Sequence, residues 1–108
     1  QLRDRRRDLI ARARSNQIRV PEMKGGTFTL SNLGRSRVQF FTPILNIPQI
    51  AICGLGRIAP RACPSEDGTI AWRPHLGLSL TFDHRAVDGA PAAAFLTGLC
   101  ERLETFSL

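Results

Sequence analysis

The sequence has no tyrosine, a single tryptophan and three cysteines among its 108 residues, and it contains no long uninterrupted apolar run. A membrane-spanning helix needs about 18 or more such residues, so we expect no membrane contact. Three widely spaced cysteines fit neither a disulfide framework nor a CxxC metal or redox site. We therefore expect no metal site and a reducing compartment such as the cytoplasm.

The composition is that of one folded domain, with 43% hydrophobic and 22% charged residues. The net charge of +6 is concentrated at the start, where residues 1–14 hold six arginines and two aspartates. Because no aromatic residues are interleaved with these arginines, we expect no nucleic-acid partner. The chain begins with Gln1 rather than Met, so we expect further sequence upstream.

Two amphipathic helices are predicted, one near each end of the chain. Residues 2–14 carry a narrow apolar stripe between arginines, which is typical of a solvated helix packed on a neighbour through that stripe. The second helix is predicted to begin at Asp88, a favourable N-cap, with Pro91 in its first turn. Its core-facing stripe has i, i+4, i+8 spacing and is formed by Phe95, Leu99 and Leu103, widened by Leu96 and Cys100.

Three strands are predicted between these helices. Residues 27–33 alternate and end at Gly34, which places Ser31 and Asn32 at the strand end. Residues 47–58 predict a largely buried strand with close backbone approach at its glycines. Residues 76–82 alternate apolar and small or polar side chains, which is typical of a strand with one face on a core.

The segment between the second and third strands is predicted to be a loop from residue 59 to residue 67. Pro60 and Pro64 argue against regular pairing there, and Asp67-Gly68 is a strong turn signal. The result is a long hairpin.

His84 is predicted at the corner where the third strand gives way to the second helix. Regular elements on both sides hold the backbone of such a corner, while its side chain is aimed into a cleft. A single histidine beside an aspartate is usually structural, but Asp83, Arg85 and Asp88 also lie within five residues. We expect an arginine to pair with a carboxylate and fix the loop.

Four segments, in this order, resemble the catalytic domain of the dihydrolipoamide acyltransferases of 2-oxo acid dehydrogenase complexes. They are TFTLSNLG at 27–34, FTPILNIPQ at 41–49, AICGLGR at 51–57 and FDHRAVDGA at 82–90. The resemblance implies an α/β fold like that of chloramphenicol acetyltransferase, with a mixed sheet flanked by helices. Residues 1–108 would correspond to the C-terminal portion of that catalytic domain, with its N-terminal half missing.

The resemblance also implies transfer of an acyl group between dihydrolipoamide and coenzyme A. Because a thiol is mostly un-ionised at neutral pH, such a reaction needs a base, and the family pattern assigns this role to His84. Ser31 matches the residue that stabilises the oxyanion of the tetrahedral intermediate. Asp88 matches the acidic position of HxxxD, where we expect it to hold the loop through an arginine and to orient the histidine.

The expected partners are those of the complex. We expect a homotrimer or larger core with active sites between subunits, a lipoyl domain that brings the lipoyl group, and the decarboxylase and dihydrolipoamide dehydrogenase components. No coenzyme A-binding residue is assigned. The basic loop at residues 35–37 suits contacts with coenzyme A phosphates or with an acidic partner, but we favour the interpretation that its charges are solvated. The alternative is a non-catalytic oligomeric scaffold fragment of such a complex.

Two hydrolase mechanisms fit less well. The sequence has no GxSxG elbow for a serine hydrolase. For a cysteine hydrolase, Cys53 lies in an apolar run, Cys63 in the predicted loop and Cys100 on the apolar helix face, so at least two of the cysteines are expected to be inert.

Overall fold

The computed structural model describes residues 1–106, which form a mixed three-stranded sheet with helices before and after it. The elements are α1 (Leu2–Arg14), a 3-10 turn (Val20–Met23), β1 (Thr29–Asn32), β2 (Ala51–Pro64), β3 (Ile70–Phe82) and α2 (Gly89–Glu104). The strand order is β1-β2-β3, with β1 parallel to β2 and β2 antiparallel to β3. Both predicted helices and all three predicted strands are therefore present.

The β2–β3 hairpin turns at Asp67-Gly68, as predicted. Gly68 has a φ of +80°, which lies in the left-handed region that glycine adopts without steric cost. The Asp67 carboxylate accepts hydrogen bonds from the hydroxyl and the backbone N–H of Thr69, at 2.6 and 3.0 Å, and these bonds lower the Asp67 pKa. The local polar contacts thus set the reversal of the chain.

The predicted loop is wrong for residues 59–64, which belong to β2, and it is confirmed for residues 65–67, which connect β2 to β3 at Ile70. Pro60 pairs with Pro74 and Pro64 with Ile70. Beyond a register shift between Leu55 and Ile58, the pairing of β2 with β1 has ended, so this half of β2 has only β3 as a neighbour. Prolines are tolerated on such an edge because outward-facing positions need no ladder hydrogen bond.

The connection from β1 to β2 is a crossover that lies against the sheet without a helix of its own. The backbone N–H of Arg57 donates to the carbonyl of Val38 at 2.8 Å. A Cβ on Gly54 would stand 2.8 Å from the Phe41 ring, and one on Gly56 would stand 1.7 Å from the Gln39 carbonyl oxygen. The predicted close backbone approach at these glycines is therefore confirmed.

The core of the described residues is small. The buried apolar residues are Ile52, Cys53 and Ala92, and Phe28 packs on Phe95 with ring centroids 5.9 Å apart. Phe95 and Leu103 of the predicted core-facing stripe remain about half exposed. The Cα radius of gyration is 17.1 Å, against about 13 Å for a compact domain of this length. Much apolar surface is thus left uncovered within the chain.

Helix α1 has no buried residue and packs against no other helix or strand of residues 1–106, contrary to the predicted packing through its stripe. It is tied instead to the 3-10 turn, because Arg12 forms ion pairs with Glu22 at 2.8 Å and Asp8 at 2.9 Å. The hydrogen bond from Arg12 is the main cause that lowers the Glu22 pKa to about 2. Over the same residues, neither α-helix is both long and apolar enough to cross a membrane.

Candidate functional site

His84 lies two residues beyond the end of β3 and five residues before the start of α2, at the predicted corner. Its side chain is 73% exposed, and its ring lies 5.7 Å from that of Phe82, with the two planes tilted by 41°. The backbone is held on the strand side, where Asp83 donates its N–H to the Ile50 carbonyl at 2.8 Å. The imidazole is therefore presented to solvent from a fixed backbone.

The corner is closed by an ion pair between Arg85 and Asp83. The Arg85 guanidinium donates to both carboxylate oxygens, with its shortest contacts at 2.7 and 2.9 Å, and the Arg85 backbone N–H donates to the same carboxylate at 3.0 Å. These hydrogen bonds lower the Asp83 pKa to about 2 and raise that of Arg85. The prediction that an arginine pairs with a carboxylate and fixes this loop is confirmed.

Asp88 occupies the N-cap position of α2, but its side chain makes no capping hydrogen bond. Its carboxylate is 85% exposed and lies 3.7 Å from Nδ1 of His84, just beyond hydrogen-bond distance. The carboxylate that Arg85 binds is that of Asp83, so the structure does not bear out the expected arginine contact of Asp88. The Asp88 oxygens are left open to the histidine and to solvent.

Ser31 is placed on β1, where it pairs with Gly54 of β2 and is partly buried. Its neighbour Asn32 uses its side-chain oxygen locally, accepting the Gly34 N–H at 2.7 Å. Asn32 is thus engaged in shaping the strand end, whereas Ser31 lies within the paired part of the strand.

The structure does not bring Ser31 and His84 together within one chain. Strand β1 lies on one side of β2 and β3 on the other. Ser31 pairs with Gly54, whereas Phe82 pairs with Ala51, three residues away along β2. With standard strand spacing and rise, the backbones of Ser31 and Phe82 are roughly 14 Å apart. His84 lies two residues beyond Phe82, past the end of β3.

The structure also brings Cys63 and His75 into contact, which the sequence analysis did not predict. Cys63 belongs to β2 rather than to a loop, and its Sγ lies 3.8 Å from Nε2 of His75 on β3. No sequence pattern predicted this contact, since it depends on the hairpin register. Cys53 is fully buried and burial raises its pKa, which confirms one of the expected inert cysteines.

Comparison with known proteins identifies a matching family and a close relative in sequence. Residues 1–108 match the catalytic domain of the 2-oxoacid dehydrogenases acyltransferase family. The chain is 47% identical over 90 residues to the dihydrolipoyllysine-residue acetyltransferase component of the pyruvate dehydrogenase complex of Staphylococcus aureus strain Mu50, covering 83% of this chain and 21% of that protein.

Two solved structures are similar over most of the chain. Dihydrolipoamide acetyltransferase of Azotobacter vinelandii superposes with a TM-score of 0.90 at 34% identity, over 96% of this chain and 42% of that one. In that protein a serine, a histidine and an asparagine have been investigated for their role in the catalytic mechanism. The cubic core of a pyruvate dehydrogenase multienzyme complex gives a TM-score of 0.83 at 36% identity, over 89% of this chain and 39% of that one.

The mixed sheet with its flanking helices is that of an acyltransferase catalytic domain, so the expected fold, like that of chloramphenicol acetyltransferase, is confirmed. The chain belongs to the 2-oxoacid dehydrogenase acyltransferase family. It spans about a fifth of the curated relative and about two fifths of each of the two solved chains.

Proposed function

We propose that this chain is the C-terminal portion of an acyltransferase that moves an acyl group between dihydrolipoamide and coenzyme A, both thiols, within a 2-oxo acid dehydrogenase complex. The observation that carries the proposal is the exposed His84 beside Asp88 at a fixed strand–helix corner, in a chain of this family. We further propose that the protein works in the cytoplasm or, in a eukaryote, the mitochondrial matrix, where thiols stay reduced.

His84 acts as the general base. A neutral imidazole has one ring nitrogen with a free lone pair, which accepts the proton of the attacking thiol as the sulfur reaches the thioester carbonyl. A small rotation would bring Nδ1 within hydrogen-bond distance of Asp88, 3.7 Å away in the structure. That hydrogen bond would hold Nε2, the other ring nitrogen, towards the thiol.

Ser31 donates its hydroxyl to the oxyanion that forms when the thiol adds to the carbonyl. Since Ser31 and His84 lie on opposite sides of β2, we propose that a complete site takes His84 from one subunit and Ser31 from its neighbour in a trimer. The cubic core to which the chain is similar supports an assembled state of this kind. A lipoyl domain would deliver the acyl group, and the decarboxylase and dihydrolipoamide dehydrogenase would act beside it.

Residue spacing supports these assignments. In the Azotobacter protein the catalytic histidine and asparagine are four residues apart, as are His84 and Asp88. Its serine precedes the histidine by nearly the same interval that separates Ser31 from His84. The chain differs from this relative at Asp88, which has a carboxylate where the relative has an amide. The proposed role of Asp88, accepting a hydrogen bond from Nδ1 of His84, can be filled by either side chain because both carry an oxygen acceptor.

A non-catalytic scaffold is the second candidate, favoured by the apolar surface that the described residues leave uncovered. Exposed examples are Ile44 (89%), Ile47 (85%) and Trp72 (71%). Surface of this kind is typical of interfaces, and an assembly needs no intact active site.

Thiol release from an acyl-dihydrolipoamide and coenzyme A, measured beside native mass, distinguishes the two candidates. We expect an oligomer that transfers the acyl group and a His84→Ala oligomer of the same mass that is slower by about 10²- to 10⁴-fold. Because His84 is exposed, the variant should fold normally, which circular dichroism checks. An inactive native oligomer would favour the scaffold, whereas equal non-zero rates for both chains would contradict the base role of His84.

A further inference from the structure

A second histidine of the chain, His75, contacts a cysteine far from His84. Nε2 of His75 lies 3.8 Å from Sγ of Cys63, while Nδ1 lies 3.1 Å from the backbone carbonyl of Arg73. His75 and Phe82 are seven residues apart on β3, which separates this pair from the strand–helix corner by roughly 20 Å or more. The acyl-transfer site makes no use of it.

The carbonyl of Arg73 determines which ring nitrogen carries the proton. A carbonyl oxygen only accepts, so Nδ1 of neutral His75 must be the donor in that contact. Nε2 then carries a lone pair directed at the Cys63 sulfur. Among residues 1–106 the thiol has one other acceptor within reach, the Arg61 carbonyl at 3.7 Å, which cannot take the proton away. His75 is therefore the base available to this thiol.

The pair opens into a groove of about 760 Å³ between the hairpin and α2, and His75 also lines a smaller adjoining cavity. Cys63 is partly exposed, so a small molecule has access to its sulfur. The other charged or titratable residues lining the two cavities are Arg57, Arg61, Arg73, Cys100 and Glu104. Arg73 and Glu104 line the groove itself, and Arg57 and Arg61 line the smaller cavity on the other side of His75, so the two cavities together carry an excess of positive charge that attracts an anionic reactant.

We propose that Cys63 is a reactive thiol, assisted by His75, that forms a mixed disulfide with a small anionic disulfide of the glutathione disulfide class. Nε2 of His75 takes the thiol proton, and the Cys63 sulfur attacks one sulfur of the disulfide. The bond between the two disulfide sulfurs breaks, and the departing thiolate takes the proton from His75. Cys63 is oxidised, and one half of the reagent leaves reduced as a free thiol.

The chain permits a matched test because it has three cysteines and two histidines. Glutathione disulfide is added to the full chain and to His75→Gln, His84→Gln, Cys63→Ser and Cys100→Ser variants. Intact mass and peptide mapping then give the rate of adduct formation at each cysteine. His84→Gln controls for loss of an exposed imidazole, and Cys100→Ser for loss of a second thiol lining the groove.

We expect adduct at Cys63 before Cys100, none at position 63 in Cys63→Ser, and a rate at pH 7 lowered by about three- to tenfold in His75→Gln but unchanged in His84→Gln. At high pH hydroxide ionises thiols without help, so the native and His75→Gln rates should converge. A merely structural role for His75 would not produce this convergence.

The charge of the reagent gives a second measurement. Arg73→Gln should slow the reaction with glutathione disulfide more than the reaction with neutral 2-hydroxyethyl disulfide. Three results would overturn the proposal: faster adduct formation at Cys100 than at Cys63 in the native chain, equal pH 7 rates in native and His75→Gln chains, or equal effects of Arg73→Gln on both reagents. The first uses only the native chain and does not depend on any variant folding.

Discussion

Ser31 and His84 lie on opposite sides of the central strand β2: Ser31 is on β1, and His84 follows the end of β3. A hydroxyl that stabilises an oxyanion must lie within about 3 Å of it, and the base must be equally close to the attacking thiol. Backbones roughly 14 Å apart, with the histidine further on, do not meet that requirement within one chain. The proposed mechanism therefore requires two copies for each site.

Mixing two inactive chains tests this requirement. Ser31→Ala and His84→Ala chains should each lose acyl transfer, by about 10²-fold or more. When they are unfolded and reassembled together at equal amounts, about a quarter of the interfaces in a cyclic trimer should combine an intact Ser31 with an intact His84. Activity of the mixture should rise towards that fraction of the native rate.

The control for the mixing experiment is native mass spectrometry with one chain isotopically labelled, which reports whether mixed trimers form. Mixed trimers without restored activity would show that Ser31 and His84 do not share an interfacial site.

Local signals in the sequence were sufficient for the helices, the hairpin turn and the strand–helix corner. The alternation over residues 76–82 and the Asp67-Gly68 turn act within a few residues, and each is found where it was predicted. The close approach at Gly54 and Gly56 also followed from sequence, because a strand glycine removes a side chain that would collide with a crossing segment. The roles assigned to Ser31 and Asp88 came from family resemblance rather than from local pattern.

Features that depend on long-range arrangement were missed. Pro60 and Pro64 were read as strand breakers, yet they are tolerated because β1 is too short to pair with that half of β2. The stripe of α1 predicted a packing partner that the described residues do not contain. The Cys63–His75 contact links residues twelve positions apart through the hairpin, which no helix or strand periodicity encodes.

Acyl transfer should survive the replacement of Asp88 by asparagine but not its replacement by alanine. If its role is to accept a hydrogen bond from Nδ1 of His84, Asp88→Asn retains an oxygen for that purpose and should stay within a few fold of the native kcat. Asp88→Ala should lower kcat by about tenfold with little change in KM, as loss of one orienting hydrogen bond predicts. Steady-state kinetics of both variants provide the measurement.

Stability serves as the control for the Asp88 variants. The side chain makes no capping hydrogen bond, so both substitutions should change the free energy of unfolding by less than about 0.5 kcal/mol. Equal losses of kcat in Asp88→Asn and Asp88→Ala would contradict a hydrogen-bonding role and point instead to the charge.

The Asp83–Arg85 pair should be visible in a carboxyl titration. The guanidinium hydrogen bonds lower the Asp83 pKa from 3.8 to about 2. The chemical shift of the Asp83 side-chain carboxyl, followed by NMR, should therefore titrate with its midpoint at about pH 2. In Arg85→Gln the midpoint should return towards pH 3.8. Because the folded-state pKa is the lower one, the pair stabilises the fold fully above about pH 4 and loses this effect as pH falls towards 2. Arg102→Gln, on the last turn of α2, is the control and should leave the midpoint unchanged.

Two glycine substitutions should have opposite effects on stability. A Cβ on Gly56 would stand 1.7 Å from the Gln39 carbonyl oxygen, beside the Arg57–Val38 hydrogen bond that holds the crossover against β2. Relief requires the crossover backbone to move, so Gly56→Ala should lower the free energy of unfolding by about 2 to 4 kcal/mol. Gly98 lies inside α2 with nothing within 4 Å of its would-be Cβ, and Gly98→Ala should raise that free energy by about 0.5 to 1 kcal/mol. Urea unfolding at matched oligomer concentration measures both; a Gly56→Ala chain as stable as the native one would mean that the crossover does not rest on β2.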